Sequence, residues 1–499
     1  MLGVFRALAL LATTPLMAGA AAPFATAHHA VSTEIDVAQQ YFDRGLTLYY
    51  AYNGTEGIPF FERAAAADPH LALAYYGVAL AAGPDLNTPL TEAHFKRAQS
   101  ALLKARALES YASEPERAYI DALSLRYAHE FKRHQSDESQ YRRAMAALVV
   151  RYPGDDDALT LYTEALLENS GREKLWRADS APATAEVAIM SDNLRRVLDR
   201  TPNHIGANHL MIHLFDSAPD ARAALPSARR LARMSFAPAQ EHLAHMPAHT
   251  FIETGNYREA ASASREAVRL FDAYLASDHN LEHENYWAHD VTVGVTALRM
   301  LGNYHNALVL SRRLDEHFGS VDASALTMLR FHRWDEILAL HPAENSNALH
   351  FARGMSFAAL GNVSAAEREL LAFKNAKTDG PSYDLLAAKI LIVRKEYSLA
   401  EPLLRQAVSQ DQGLGSGENP YFYPPAEALG GLLFQMGRLD KAEAEFRGAL
   451  GSHPYDPRAL YGLSKTLEVE KKREDARATA RQFQASWSGD DTALEMKEL

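Results

Sequence analysis

The chain of 499 residues contains no cysteine. This absence excludes disulfide bonds, thiolate ligands for a metal ion and a cysteine nucleophile. A formal net charge of −12 argues against general binding to nucleic acids or to anionic membranes. The strict alternation of apolar and polar residues that is typical of exposed strands is nearly missing, and so are the motifs of a P-loop, a dinucleotide-binding loop and a serine-hydrolase elbow. The sequence therefore predicts a helical protein, and no motif in it fixes a reaction.

Long apolar runs are also scarce, and the most apolar segment lies at the N-terminus. Arg6 precedes a short apolar run, and small residues follow it at Ala20–Ala22 and again at Ala25–Ala27. A basic residue, a short apolar run and small residues in this order are typical of a cleavable signal peptide. We therefore expect residues 1–27 to be a leader and the mature protein to be periplasmic or secreted. No later run is long enough to predict a membrane-spanning helix.

What the chain has in abundance is a residue spacing typical of paired helices. After Pro425, small residues recur where two helices would touch, and an aromatic residue and a proline follow at fixed offsets: Leu429, Gly430, Gly437, Ala442, Phe446, Ala449 and Pro454. In such a helix pair, Phe446 fills the gap to the next pair. Similar spacing recurs between Ala38 and Leu71 and, less completely, through the middle of the chain.

On these residues the chain resembles the tetratricopeptide-repeat family over most of its mature length. The resemblance implies an all-α solenoid, a right-handed superhelix of about ten helix pairs whose first helices line a concave groove. It implies binding of a protein or peptide partner in that groove, but not what is bound. We divide the chain into the leader 1–27, N-terminal repeats over 28–202, central histidine-rich repeats over 203–320, and C-terminal repeats with a cap over 321–499.

Histidine is concentrated in the central repeats. Nine of the 21 histidines lie in the three stretches NHIGANHLMIHLFD, EHLAHMPAHTFIE and DHNLEHENYWAHD. These stretches resemble the histidine-rich helices of a group of exported bacterial repeat proteins, a resemblance that implies no known activity. If repeats begin at Ile205, Glu241 and Ala288, the family's groove-facing positions 2, 5 and 9 are taken by six histidines: His209, His213, His242, His245, His249 and His289.

Histidines four residues apart on a helix can share one metal ion. His209 with His213, and His245 with His249, are two such pairs at matching positions of neighbouring helices, so we expect these four imidazoles to converge on one ion. His242 would lie about 10 Å along its helix from His249. We therefore expect His242 to be an alternative ligand or part of a second site.

His289 is expected to be a secondary ligand as well. All-imidazole ligation suits zinc, copper, iron or nickel and is poor for calcium or magnesium, so a transition metal ion of unassigned identity is predicted, and no other cofactor. Three carboxylates lie near the histidines: Asp216, Glu253 and Asp290. Each could accept a hydrogen bond from a ligand imidazole. Asp216 and Glu253 are also candidates for a general base if the ion holds a water molecule.

The other three histidines of this region are predicted to have different roles. His204 is expected at a helix start, and His279 and His283 in a solvated loop. Two functions stay open. The groove could hold a transition metal ion, in a metal-handling protein or a metal-dependent enzyme. Alternatively, the protein could be a metal-free scaffold that binds a peptide or an envelope protein, its histidines supplying hydrogen bonds and pH sensitivity.

Overall fold

The computed structural model describes residues 24–171, 175–216, 218–277, 284–342, 345–372, 381–411, 424–489 and 494–499. These residues form helices joined by turns and loops, and they contain no strand, only an isolated bridge between Trp176 and Pro182. The predicted all-α fold is confirmed. The leader predicted over 1–27 lies almost wholly outside the described residues and stays a prediction. No helix in the described ranges is both long and apolar enough to cross a bilayer.

The helices follow one another in pairs. The N-terminal pairs are α1 (Asp36–Tyr50) with α2 (Gly54–Ala67), α3 (Ala72–Ala81) with α4 (Glu92–Ala107), α5 (Glu114–Arg126) with α6 (His134–Arg151), and α7 (Asp156–Glu168) with α8 (Ala185–Arg200). The central pairs are α9 (Ile205–Phe215) with α10 (Leu225–Leu231), the broken helix α11 (Glu241–His245) and α12 (Pro247–Glu253) with α13 (Tyr257–Ser277), and α14 (Glu284–Met300) with α15 (Tyr304–Phe318). The C-terminal pairs are α16 (Asp322–Arg330) with α17 (Trp334–Leu338), α18 (Asn347–Ala359) with α19 (Val363–Ala372), α20 (Ser382–Val393) with α21 (Tyr397–Asp411), α22 (Pro425–Gln435) with α23 (Leu439–Ser452), and α24 (Pro457–Val469) with α25 (Arg473–Ser486).

Small residues and one aromatic ring set the distance between successive pairs. Phe446 of α23 is fully buried. A Cβ atom added at Gly430 of α22 or at Gly462 of α24 would come within 2.7 Å or 2.4 Å of the Phe446 ring. Because only a hydrogen fits at these two positions, the ring fills the space between the first helices of two pairs, as the sequence predicts. Phe61 of α2 packs in the same way between Gly45 and Gly77.

The pair α16/α17 has no counterpart in the repeats recognised from the sequence. Its second helix, Trp334–Leu338, is only five residues long, too short to show the spacing of a full repeat. The apolar core continues from Ala27 to Leu499 and passes without a break across the boundaries placed after residues 202 and 320. The division of the chain into three groups of repeats stays a prediction from the sequence.

Both ends of the solenoid pack back on the central repeats. At the N-terminal end, α1 lies against α9. At the C-terminal end, the Tyr257 hydroxyl donates a hydrogen bond of 3.0 Å to the Pro454 carbonyl, and the Ser488 N–H donates one of 2.7 Å to the Leu301 carbonyl. The first histidine-bearing helix, α9, is therefore covered by α1, and the contacts at Tyr257 and Leu301 hold the C-terminal end against the central repeats.

Candidate metal centre

The six predicted ligands lie on the first helices of three consecutive pairs, α9, α11–α12 and α14. His209 and His245 are no more than 1% exposed, and His213, His242 and His249 are 5–8% exposed. His289 is partly exposed. Five of the six side chains therefore lie in a buried layer.

The structure divides these histidines into two groups of three. His209, His213 and His242 form what we call the inner triad, and His245, His249 and His289 form the outer triad; within each, one nitrogen per ring lies within 4.8 Å of the others. The expected convergence of His209, His213, His245 and His249 is therefore wrong in its grouping. The reason is the offset between neighbouring first helices: repeat position 2 of one helix, not positions 5 and 9, lies beside positions 5 and 9 of the preceding helix.

The outer triad has the geometry of ligands that share one ion. His245 Nε2 lies 2.8 Å from His249 Nε2, which lies 3.2 Å from His289 Nε2. Two nitrogens bound to one zinc-sized ion at about 2.0–2.1 Å are themselves about 3 Å apart at ordinary coordination angles. The three Nε2 atoms therefore need little movement to bind an ion between them.

Carboxylates lie behind two of these rings. Asp290 Oδ1 is 3.0 Å from His245 Nδ1, although the angle is too bent for a regular hydrogen bond, and Asp216 Oδ1 is 3.7 Å from His249 Nδ1. A carboxylate at Nδ1 favours the proton there and leaves the lone pair on Nε2. Without an ion, one Nε2 donates a hydrogen bond to the other across 2.8 Å, and a cation bound between the two rings would replace that proton. Glu253, the other predicted carboxylate, is the last residue of α12.

Burial favours the neutral forms of this layer. It lowers the pKa of His245 to about 3, and it raises the pKa of Asp290 to about 8 against the opposing effect of His289. Burial, together with the nearby histidines of both triads, also holds the pKa of His242 well below its usual value. A neutral imidazole is the form that binds a metal ion.

The inner triad is covered by an aromatic ring from the N-terminal repeat. Tyr52 lies 4.4 Å from His209, 5.4 Å from His213 and 5.5 Å from His242, measured between ring centroids, and is stacked on the last two. His209 Nδ1 donates a hydrogen bond of 2.7 Å to the Tyr50 carbonyl, which leaves the lone pair of that ring on Nε2. His242 Nε2 has no hydrogen-bond partner among the described residues.

No family model matches this chain, and no curated protein matches its sequence. Three solved structures are similar: yeast Tom70, at 12% identity over 92% of this chain and 93% of that one with a TM-score of 0.33; the APC/C hetero-tetramer Cut9–Hcn1, at 12% identity over 80% of this chain and 78% of that one with a TM-score of 0.37; and the TPR domain of P58(IPK), at 13% identity over 87% of this chain and 99% of that one with a TM-score of 0.24.

The packing of Phe446 and Phe61 between glycines of successive pairs is what decides the architecture. The chain is an all-α solenoid of helix pairs, with the packing typical of tetratricopeptide repeats.

Sequence reasoning missed Tyr52, because nothing in the local sequence shows that residue 52 contacts residues 209–242. Its backbone φ of +55° lies in the left-handed region, which a bulky side chain rarely adopts. Tyr52 lies just after the end of α1, and the side chain of the next residue, Asn53, donates a hydrogen bond of 3.1 Å to the Ala239 carbonyl. A non-glycine residue with positive φ is a signal that only the structure supplies.

A third cluster joins His29 to Asp155 and Asp157. Asp157 is within 2.8 Å of His29 Nδ1 and 3.2 Å of His204 Nε2, and it accepts a hydrogen bond of 2.5 Å from the Tyr50 hydroxyl. A carboxylate with three such donors anchors the N-terminal segment to α7 and α9.

His204 has the structural role expected of it: its Nδ1 accepts the Ala207 N–H at the start of α9. His279 and His283, predicted to lie in a solvated loop, fall outside the described residues.

Proposed function

We propose that this protein is an exported tetratricopeptide-type solenoid that holds a transition metal ion on Nε2 of His245, His249 and His289. One observation carries the proposal: His249 Nε2 lies 2.8 Å from His245 Nε2 and 3.2 Å from His289 Nε2. Carboxylates behind His245 and His249 support it, because a ligand imidazole in proteins almost always has such a partner at its other nitrogen.

The donor set restricts the ion. Three imidazole nitrogens suit zinc, copper, iron or nickel, and they suit calcium and magnesium poorly. Three protein ligands also leave a coordination position for water or another molecule. Asp216 has 32% of its side chain exposed, so solvent reaches the triad from this side. The protein would therefore deliver or store the ion, or use the open position for chemistry with Asp216 as the base.

Export is the second part of the proposal. It rests on the leader-like N-terminus. The Ala25 N–H donates a hydrogen bond of 2.7 Å to the Ser235 carbonyl, and the Ala27 N–H donates one of 2.9 Å to Thr47 Oγ1. Cleavage within Ala20–Ala22 preserves both contacts, whereas cleavage after Ala27 removes both, so we favour the earlier site.

The alternative function is a metal-free scaffold for a protein or peptide partner. The six histidines do not favour it, because five of them are at most 8% exposed and α1 covers the inner triad. A partner would have to use another surface of the solenoid. Metal content distinguishes the two functions.

The test is elemental analysis of protein purified without a histidine tag from its native compartment. We expect a transition metal to co-purify with the wild type. The variant His305→Ala, a control at an exposed histidine of α15, should retain the metal. The variant His249→Ala should lose the ion of the outer triad. A protein that is isolated without metal, and that also fails to bind zinc or copper added at micromolar concentration, would overturn the metal function and leave the scaffold function.

A further inference from the structure

The two triads are related by the helical repeat. In the outer triad, His245 and His249 occupy repeat positions 5 and 9, and His289 occupies position 2 of the following repeat. His209, His213 and His242 of the inner triad occupy the same three positions one repeat earlier. Neighbouring pairs of a solenoid are related by a nearly constant rotation and translation, so equal positions place three imidazoles in equivalent arrangements. The ring centroids accordingly lie 4.7–5.2 Å apart in the outer triad and 4.7–5.9 Å apart in the inner one.

The inner triad also has the chemistry of a ligand set. Its ring centroids are 4.7 Å apart for His209 and His213, 5.0 Å for His209 and His242, and 5.9 Å for His213 and His242. His209 Nδ1 is held by the Tyr50 carbonyl, as a ligand imidazole is usually held at its other nitrogen. The stacked ring of Tyr52 shields one side, so this triad is more enclosed than the outer triad.

Two buried acidic residues are next to ligand histidines in the sequence. Glu241, which begins α11, is 5% exposed, and Asp290 of α14 is 1% exposed. Glu241 Oε2 and Asp290 Oδ2 have no hydrogen-bond partner among the described residues. Carboxylate oxygens are costly to bury without partners. Asp290 Oδ1 lies 3.0 Å from His245 Nδ1, so a cation held by the neighbouring imidazoles would offset that cost at Asp290.

The triads are immediate neighbours. His242 and His245 lie on one helix, with ring centroids 6.1 Å apart, and three residues of α-helix rise by only about 4.5 Å. Building on the proposed function, we infer that His209, His213 and His242 hold a second transition metal ion, so that the central repeats carry a two-metal, all-histidine centre with an enclosed inner ion and a solvent-reachable outer ion.

The experiment is a copper(II) titration of the metal-free, untagged full-length protein, followed by elemental analysis and electron paramagnetic resonance. The wild type and His305→Ala should bind about two ions per chain and show spin–spin coupling between them, since the sites are neighbours on one helix. His242→Ala and His289→Ala should each bind about one ion, and the coupling should disappear. If His242→Ala fails to fold, His242→Phe replaces it in the titration, because phenylalanine retains a ring against Tyr52 but has no ligand atom.

The outcomes separate this inference from the proposed function. A wild type that binds one ion, retained in His242→Phe and lost in His249→Ala, would overturn the second site and leave the outer site intact. Two ions without spin–spin coupling would overturn the paired centre. A protein that binds no ion overturns both proposals.

Discussion

The layer between successive helix pairs is built in two different ways in this molecule. In the C-terminal repeats, the Phe446 ring fills the space between Gly430 and Gly462, an apolar contact that is stable by itself. In the central repeats, the first helices contribute imidazoles to a buried layer, and His245 is 0% exposed. Burying a polar ring is costly unless its nitrogens have partners.

This difference shows how a repeat fold carries a site. The apolar layers stabilise the solenoid, and the central layer can then contain groups that destabilise it when no ligand is bound. The packing of α1 and Tyr52 against the first histidine-bearing helices increases the burial of those groups. Variants in the two layers should therefore respond differently to metal, and four measurements test that expectation.

The largest effect is expected from Phe446→Ala. Removing a fully buried phenylalanine leaves a cavity and costs roughly 3–5 kcal/mol of unfolding free energy. The loss should be the same with and without a chelator, because Phe446 lies in an apolar layer. Urea unfolding measures it, with Phe318→Ala as control at a residue that is 62% exposed. A loss that depends on chelator would show that the C-terminal and central layers are coupled.

Much of this comparison was accessible from the sequence. The spacing of Gly430, Phe446 and Pro454 predicted the helix pairs, because glycine and phenylalanine have few other reasons to recur at those offsets. The spacing of His245 and His249 likewise predicted that both rings lie on one face of a helix. These are local properties, set by the geometry of a single helix or a single pair.

The grouping of the histidines could not be predicted in the same way. It depends on how far one first helix is shifted along the next, and α11 and α12 are separate helices on either side of Met246. The predicted four-histidine site assumed no shift between equal repeat positions. The contact of Tyr52 with the inner triad depends on chain closure, which no single repeat determines.

Metal removal should produce the next largest effect. An ion that binds only the folded protein, at a free concentration of 100 times its dissociation constant, stabilises it by about 2.7 kcal/mol. We therefore expect a chelator to lower the unfolding free energy of the wild type by an amount of this size. The chelator should have little effect on a double variant that carries His213→Ala and His249→Ala. Thermal unfolding with and without chelator measures the difference. An equal effect on both proteins would place the stabilising ion outside the histidine layer.

Asp290→Asn should weaken the outer site without removing a ligand. Loss of a carboxylate partner of a ligand imidazole typically lowers metal affinity 10–100-fold, which corresponds to about 1.4–2.7 kcal/mol. Competition titration with a chromogenic chelator measures the affinity. Asp272→Asn is the matched control, since Asp272 accepts a hydrogen bond from Arg313 on the surface. Equal affinities of the two variants would show that Asp290 does not support the ligand His245.

The smallest effect is expected from Tyr52→Leu in the metal-free protein. The stacked ring contacts with His213 and His242 are lost, and an aromatic pair contributes about 0.5–1.5 kcal/mol. Tyr455→Leu is the control, because Tyr455 also has a positive φ, of 60°, but is 50% exposed. Both substitutions keep a side chain in the left-handed region, so urea unfolding of the two variants isolates the ring contacts from backbone strain. Equal losses would mean that the Tyr52 ring contributes nothing to the histidine layer, and the inner triad would then owe its enclosure to α1 as a whole.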